Sequence, residues 1–306
     1  MQEIKIPKIG IVVLNYMTYK LTIDLLSHIG NLNYKNYFVV VVDNNSTNNS
    51  YKEIENYLQK NEFEYNIILL SSNKNGGYSY GNNIGAKKAY ELGAEYTLIM
   101  NNDIEIIDSE VLNKLIDYLL KYPETKMIYP AVQRPNGFLE IPSFVRRPSL
   151  FICTLSNIFY PFVVLHNISN RSKKKHILKN VYSVSGCFFL INSELLHKIK
   201  YLDENIFLYG EEWILGEKVY QRKGKVVYYP ETRILHNHSM TSKNIYKIKE
   251  IAKMQSNNLV YYFKNYRSNK NKVMLIIFKC SEILKVEVYF RIIVKIKNIV
   301  KAEKRA

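Results

Sequence analysis

The sequence predicts an α/β domain built on a mostly parallel sheet with helices on both faces. Three observations lead there. Short runs of Val, Ile and Leu alternate with longer amphipathic stretches up to Pro135. Those runs are continuously apolar rather than alternating, as expected of strands buried on both sides. Polar residues gather directly after the runs, where ligands bind in open α/β sheets.

The elements follow in order. Ile9–Leu14 reads as a buried strand and Thr18–Ile29 as a helix with apolar residues at helical spacing. Phe38–Val42 is a second strand, and Glu53–Leu58 lies in a second helix. Ile67–Leu70 and Tyr78–Leu92 repeat the pair, as do Thr97–Met100 and a helix near Glu110–Leu120, before a strand at Met127–Val132. After Pro135 the pattern changes. Residues 136–180 hold Pro142, Pro148 and Pro161, an apolar run from Leu150 to Leu165, and then Arg171-Ser-Lys-Lys-Lys, and read as an insertion. Strand and helix return at Ser183–Ile199, a helix at Trp213–Arg222, and strand pieces at Lys225–Tyr229 and Arg233–Leu235. The reading is one catalytic domain over 1–245, carrying the insertion, and a basic amphipathic helical tail over 246–306.

Lys and Arg number 43 against 27 Asp and Glu, a formal net charge of +16, which favours anionic partners. The basic residues concentrate in the insertion and tail, without the interleaved aromatics of a nucleic-acid face, so no nucleic-acid partner is expected. Cys153, Cys187 and Cys280 form neither a disulfide framework nor a zinc spacing and suit a reducing cytosol. No long apolar run precedes the first strand, so no secretory leader is predicted. No stretch has the uninterrupted apolar length of a spanning helix. The Leu150–Leu165 run flanked by arginines, and a tail mixing Ile, Leu, Val and Phe with lysines, predict a peripheral place on an anionic membrane surface.

Four strand ends carry unusual residues: Asn15-Tyr16, Asp43-Asn-Asn-Ser-Thr, Asn75-Gly-Gly-Tyr and Asn101-Asn-Asp103. Each alone is more often a turn and helix cap; four in succession point to a nucleotide cleft. The glycines around Tyr78 let the backbone approach a ligand, and N–H groups at a helix start favour anions. Asp103 is placed either to hold a hard divalent cation touching a diphosphate or to close an Asx turn. Glu211-Glu212 pairs two acids beside large apolar groups at a helix start, where a desolvated carboxylate serves as general base and a surface one merely suits the helix dipole. His236, after a strand, can complete a metal site. A nucleotidyltransferase would want a Gly-rich loop with Lys or Arg after the first strand, which Asn15-Tyr-Met-Thr lacks.

The ordered set V-x-D-N-N-S, N-x-G-[FY]-x-x-G-N-N-x-G, N-N-D, V-S-G-C-F-F-L-I, D-E-x-x-F-x-Y-x-E-E and Y-P-E-x-x-I-x-H resembles the family 2 glycosyltransferases, specifically their rhamnosyltransferase- and galactofuranosyltransferase-like members, over roughly residues 8–245. The resemblance implies a GT-A-type, Rossmann-like fold, Mg²⁺ or Mn²⁺, and inversion at the anomeric centre. It implies a nucleotide-sugar donor, of dTDP-rhamnose or UDP-hexose type, and a glycan or lipid-linked acceptor in bacterial-type surface polysaccharide synthesis at the inner face of the cell membrane. Carried over residue by residue, it assigns Asn15 and Tyr16 to the nucleotide-contacting turn and Asp43 to the pyrimidine or ribose. Asn75, Gly77, Asn83 and Gly85 fall in the nucleotide-side loop and helix. Asn102 and Asp103 match the metal motif, with Asp103 the ligand and Asn101 standing where many members have Asp. His236 matches the metal-side histidine, with His238 the fallback. Glu211-Glu212 matches the pair that supplies the base, assigned to Glu212, which reaches one methylene beyond the usual Asp. Asp203-Glu204 and Gly186 match positions around the acceptor. The sequence leaves donor sugar, linkage and oligomeric state open.

Overall fold

A computed structural model describes residues 6–140, 145–163, 177, 179–237, 248–267 and 272–289. Compact packing divides the chain into two units, one of residues 1–146 and 177–245, the other of residues 147–176 and 246–306. The insertion's helix therefore groups with the tail helices.

In the first unit the alternation seen in sequence becomes β1 (Ile9–Asn15), α1 (Tyr19–Ile29), β2 (Tyr37–Asp43), α2 (Ser50–Lys60), β3 (Asn66–Ser71), α3 (Gly77–Glu91), β4 (Tyr96–Asn101), β5 (Ile104–Glu105), α4 (Val111–Lys121) and β6 (Thr125–Gln133). After the insertion come β7 (Lys179–Val181), β8 (Phe188–Asn192), α6 (Ser193–Lys198), α7 (Glu211–Gln221) and β9 (Lys225–His236). Among the described residues nine strands form one sheet, in the order β3-β2-β1-β4-β8-β6-β9-β5, with β7 on β9. The pairs among β1 to β4 are parallel, as is β6 with β9; β8, β5 and β7 run antiparallel to their neighbours.

Alternate residues of β1 serve different cores. Ile9, Ile11 and Val13 pack with Leu25, Leu26 and Ile29 of α1, Ile54 of α2 and Leu112, Leu115 and Leu119 of α4. Val12 packs on the other face with Ala86 and Ala89 of α3, Leu195 and Leu196 of α6, and Leu215 and Val219 of α7. Helices thus cover both faces, as the continuous apolar strands require. The glycines of α3 let it lie against the sheet: a Cβ on Gly81 would fall 2.3 Å from Leu14 Cδ1, and one on Gly85 2.4 Å from Val12 Cγ1.

Three features differ from the sequence reading. β5 and β7 are short extra strands. The strand pieces at Lys225–Tyr229 and Arg233–Leu235 are one strand, β9, whose register against β6 shifts at Pro130/Ala131; the bulge absorbs the interruption at Pro230-Glu231-Thr232.

In the second unit, α5 (Leu150–Ile158) accompanies α8 (Ile248–Asn265) and α9 (Lys272–Ile283), the last continuing into a π-helical turn over Leu284–Tyr289. Asn157 of α5 donates to Ser281 Oγ (3.1 Å) and Glu282 Oε1 (2.6 Å), and the Phe263 and Phe278 rings meet edge to face at 5.0 Å. No helix among the described residues is long and apolar enough to cross a membrane. His238, Arg171, Lys173, Lys174, Lys175 and the tail beyond Tyr289 lie outside the described residues.

Candidate active site

The carboxyl ends of β1, β2 and β4 lie side by side, so the polar residues that follow them are brought together. Asp43, only 2% exposed, accepts from Asn15 Nδ2 (2.7 Å), from Ser46 N (2.9 Å) and from Ser46 Oγ (2.8 Å). Thr22 of α1 donates to Asn15 Oδ1 and accepts from Asn102 Nδ2, both at 2.9 Å. Asn102 also donates to Thr18 Oγ1 at 2.9 Å. Asn15, Asp43 and Asn102 thus form one satisfied network that fixes the strand ends. Tyr16, next in sequence, stays half-exposed.

The start of α3 is tied down in the same way. Asn75 Oδ1 accepts from Asn44 Nδ2 (3.0 Å) and Gly77 N (3.1 Å), and Tyr78 N donates to the Phe207 carbonyl at 2.8 Å. Gly77 sits at φ +85°, and a Cβ there would come 2.1 Å from Phe207 O. The backbone approach anticipated for a ligand is made here by the protein's own 207 segment. Asn83 is likewise committed: it donates to Leu202 O (3.0 Å) and Glu204 Oε1 (2.9 Å) and accepts from Leu202 N (3.0 Å). Its place is to anchor the 202–204 loop, which bears Asp203.

The acids occupy a different environment. Tyr209 (φ 67°) and Gly210 (φ 102°) both adopt left-handed backbone just before α7, and a tyrosine there is strained. Glu211 is buried, and its Oε2 has no hydrogen-bond partner among the described residues. Burial first, and the neighbouring Glu212 second, push its carboxyl well above the usual range. Glu212 keeps partial exposure, accepts from Gly210 N at 3.0 Å, and is also raised, chiefly by burial. Gly186 lies against it, since a Cβ on Gly186 would sit 3.2 Å from Glu212 Oε1. The Tyr78 hydroxyl donates to the Gly186 carbonyl, linking the head of α3 to the acid pair.

The short strand β5 places Asp103 beside His236. Ile104 pairs with His236, Asn237 N donates to Asp103 O at 3.0 Å, and the His236 Nε2–Asp103 Oδ1 distance is 3.2 Å. Both residues are under a tenth exposed. Glu140 Oε1 stands 4.0 Å from the other imidazole nitrogen. Burial opposes the imidazolium, but Cys187 and Asp103 outweigh it and raise the imidazole above its ordinary range. Among the described residues no three His, Cys, Asp or Glu side chains converge as a metal cage. One carboxylate and one imidazole nevertheless fit a divalent cation of the Mg²⁺ or Mn²⁺ type, which would displace the imidazole's proton on binding, keeps few protein ligands and takes the rest from water and phosphate. Glu140 then stands where an outer carboxylate orients a ligating imidazole.

Adjacent residues join the two groups. Gly186 faces Glu212, and Cys187 is among the neighbours that raise His236; the Cys187 carbonyl accepts from Asn101 N at 2.9 Å. The 186–187 turn therefore brings the acid pair and the Asp103–His236 pair to the carboxyl end of β4. Sequence reasoning gave no part to Thr22, Ser46, Asn44, Tyr78 or Phe207. Thr22 had a signal: it is a polar residue on the apolar stripe of α1. Tyr78 stands inside a quoted motif without a role of its own.

A family model described as glycosyl transferase family 2 matches residues 9–200, which span β1 through α6. The chain belongs to glycosyl transferase family 2. Within the family it is similar to a low-salt glycan biosynthesis hexosyltransferase of Haloferax volcanii, 25% identical over 69% of this chain and 61% of the relative. It is also similar to an N-acetylglucosaminyl-diphospho-decaprenol L-rhamnosyltransferase of Mycobacterium tuberculosis, 21% identical over 56% of this chain and 59% of the relative. An O-antigen biosynthesis protein of Myxococcus xanthus is 24% identical over 78% of this chain, which spans only 18% of that protein. The chain thus covers less than two thirds of these curated relatives. Among solved structures, the mannosyltransferase of Pyrobaculum calidifontis in complex with GDP-Man and Mn²⁺ superposes with a TM-score of 0.60 at 16% identity, over 91% of this chain and 70% of that one. S. aureus TarS in complex with UDP-GlcNAc gives 0.56 at 17% identity, over 91% and 81%. These likenesses show the GT-A fold.

Proposed function

We propose that this family 2 member is an inverting glycosyltransferase that moves a sugar from a nucleoside-diphosphate donor to an acceptor hydroxyl. The observation that carries the reading is the 186–187 turn, where a raised carboxyl pair and a carboxylate–imidazole pair meet beside the satisfied strand ends. Tyr16, half-exposed beyond β1, would meet the donor's base, beside strand ends fixed by Asp43 and Asn15 and a helix start fixed by Asn75 and Gly77. Asp103 and His236 would hold a divalent cation, Mg²⁺ or Mn²⁺, which supplies neutralising charge at the departing diphosphate.

Glu212 is the base. A carboxylate with a raised pKa is a better match to neutral pH than an ordinary one. As the acceptor oxygen bonds to the anomeric carbon, its proton passes to Glu212 and the bond to the diphosphate oxygen breaks on the opposite face. Inversion follows from that single displacement. Glu211, more deeply buried and raised by Glu212 as well as by burial, keeps its proton and leaves Glu212 the member that ionises first.

The names of the relatives favour a hexose or rhamnose donor and a glycan or lipid-linked acceptor in surface polysaccharide synthesis. The basic, partly apolar second unit favours work at the cytoplasmic face of a membrane. Nucleotide release from a panel of dTDP- and UDP-sugars, with Mg²⁺, Mn²⁺ or EDTA, tests the reading. Release with one donor class and a divalent ion, abolished by EDTA and restored by metal, is expected. Release that survives exhaustive chelation would overturn the metal assignment, and none with any donor would overturn the activity.

A further inference from the structure

The second unit contains a cleft lined by none of the residues assigned to the transfer reaction. It holds about 310 Å³ and is lined by Arg147, Pro148, Ser149, Leu150 and Phe151 around the start of α5, by Phe263 and Arg267 at the end of α8, and by Met274 of α9. All of these belong to the same compact unit. The Arg267 guanidinium is held in place: Nη1 donates to the Pro148 carbonyl and to Tyr262 Oη (3.1 Å), and the group lies 5.9 Å from both the Tyr262 and Phe263 ring centres. Arg147 is exposed at the rim. Two guanidinium groups over an apolar floor suit a phosphate attached to something greasy, because arginine is the side chain that grips phosphate oxygens in pairs. The volume lies at the lower end of small-ligand pockets, the size of a headgroup rather than of a whole sugar nucleotide.

The surroundings indicate what the phosphate is attached to. On α9, Met274 and Phe278 turn inward, while Val273, Ile276 and Ile277 stay exposed alongside Lys272 and Lys279. On α5, Phe151 and Ile152 are 59% and 62% exposed. Bare apolar side chains interspersed with lysines are the pattern of helices that lie in a membrane interface.

We propose that this cleft is a seat for the phosphate of a membrane phospholipid of net negative charge, whose headgroup carries no cation to oppose the guanidinium groups, with Arg147 and Arg267 as its anion contacts and the exposed apolar residues of α5 and α9 entering the acyl boundary. The inference rests on the membrane-surface reading above and sharpens it from diffuse charge attraction to a defined headgroup site.

The test is flotation of the full-length protein with vesicles of phosphatidylcholine alone or mixed with phosphatidylglycerol. Arg147→Gln and Arg267→Lys are compared with Lys52→Gln and Lys20→Gln, which remove exposed charge from the first unit. Circular dichroism confirms folding, and donor binding by calorimetry reports separately on the catalytic reading. Wild type should float with phosphatidylglycerol and not with phosphatidylcholine. Removing one charge from the seat should weaken binding about fivefold, Arg267→Lys should weaken it although the charge is kept, and the Lys20 and Lys52 variants should float as wild type does. Four results would overturn the proposal: equal binding to neutral vesicles, equal loss from the Lys20 or Lys52 variants, no loss from both arginine variants, or displacement from vesicles by millimolar inorganic phosphate. The last would mean a soluble anion site. None of these results depends on whether a sugar donor binds.

Discussion

The residues around Asp43 and those around Glu212 are both polar, both largely buried and both at the sheet's working end, yet they are built on opposite principles. At Asp43 donors and acceptors are matched: Asn15, Ser46, Thr22 and Asn102 satisfy one another at 2.7–2.9 Å along the network. At Glu212 they are not. Its neighbour Glu211 has a buried oxygen with no hydrogen-bond partner among the described residues, the two carboxyls stand close enough to raise Glu211, and strained backbone at Tyr209 leads into them. A satisfied buried network rigidifies, whereas an unsatisfied, desolvated acid holds reactivity at a cost in stability. In the proposed reaction the first region would frame the donor and the second would take the proton.

That contrast makes each region breakable in its own way. The largest effect is expected for Glu212→Gln, which should lower turnover by about 10²-fold or more while donor affinity, read by calorimetry, stays at wild type. Loss of affinity in step with turnover would place Glu212 in the frame. Next comes Asp43→Ala, which strands the donors of Asn15 and Ser46. It should cost about 1–3 kcal/mol of stability in chemical unfolding and weaken nucleotide binding about tenfold; unchanged affinity would make Asp43 a turn residue only.

Glu211→Gln should act with the reverse sign on stability. A carboxyl whose pKa is higher in the folded state binds its proton more tightly there. It therefore imposes no penalty below its unfolded pKa, and the penalty grows as pH rises through the folded value. Glu211→Gln should accordingly raise the thermal midpoint by about 2–4 °C near pH 8 and by much less near pH 5, with a smaller loss of turnover than Glu212→Gln. A midpoint lowered equally at both pH values would mean that the carboxyl is well accommodated. The smallest effect is expected for Thr22→Val, which keeps shape but removes the link between Asn15 and Asn102. It should cost about 1 kcal/mol and leave turnover near wild type.

The sequence made the two regions unequally legible. Continuous apolar runs announced β1 to β4 and β6, because strands covered on both faces carry little else. The same periodicity is blind to β5, two residues long, and β5 is what aligns Asp103 with His236. The asparagines stand where the family resemblance puts nucleotide-side residues, but sequence does not show which way an amide turns. Asn75, Asn83 and Asn102 direct theirs toward Asn44 and Gly77, the 202–204 loop, and Thr18 and Thr22 respectively. The acid pair was visible by residue type, although acids at a helix start equally suit the helix dipole. Its environment was not visible, because Gly186 reaches it only through the fold. The insertion and tail looked like separate additions, and the Asn157–Glu282 hydrogen bond between α5 and α9, 125 residues apart, has no local signature.

The most direct test of the contrast is the pH dependence of turnover in the wild type and in Glu211→Gln, measured at saturating donor and acceptor. The account predicts an acidic limb in the wild type above the ordinary carboxylate range, since burial raises Glu212. It also predicts that this limb stays in place in Glu211→Gln, because Glu211 is still protonated, and so uncharged, while Glu212 ionises. A limb in the ordinary carboxylate range, or one that the substitution moves, would contradict it.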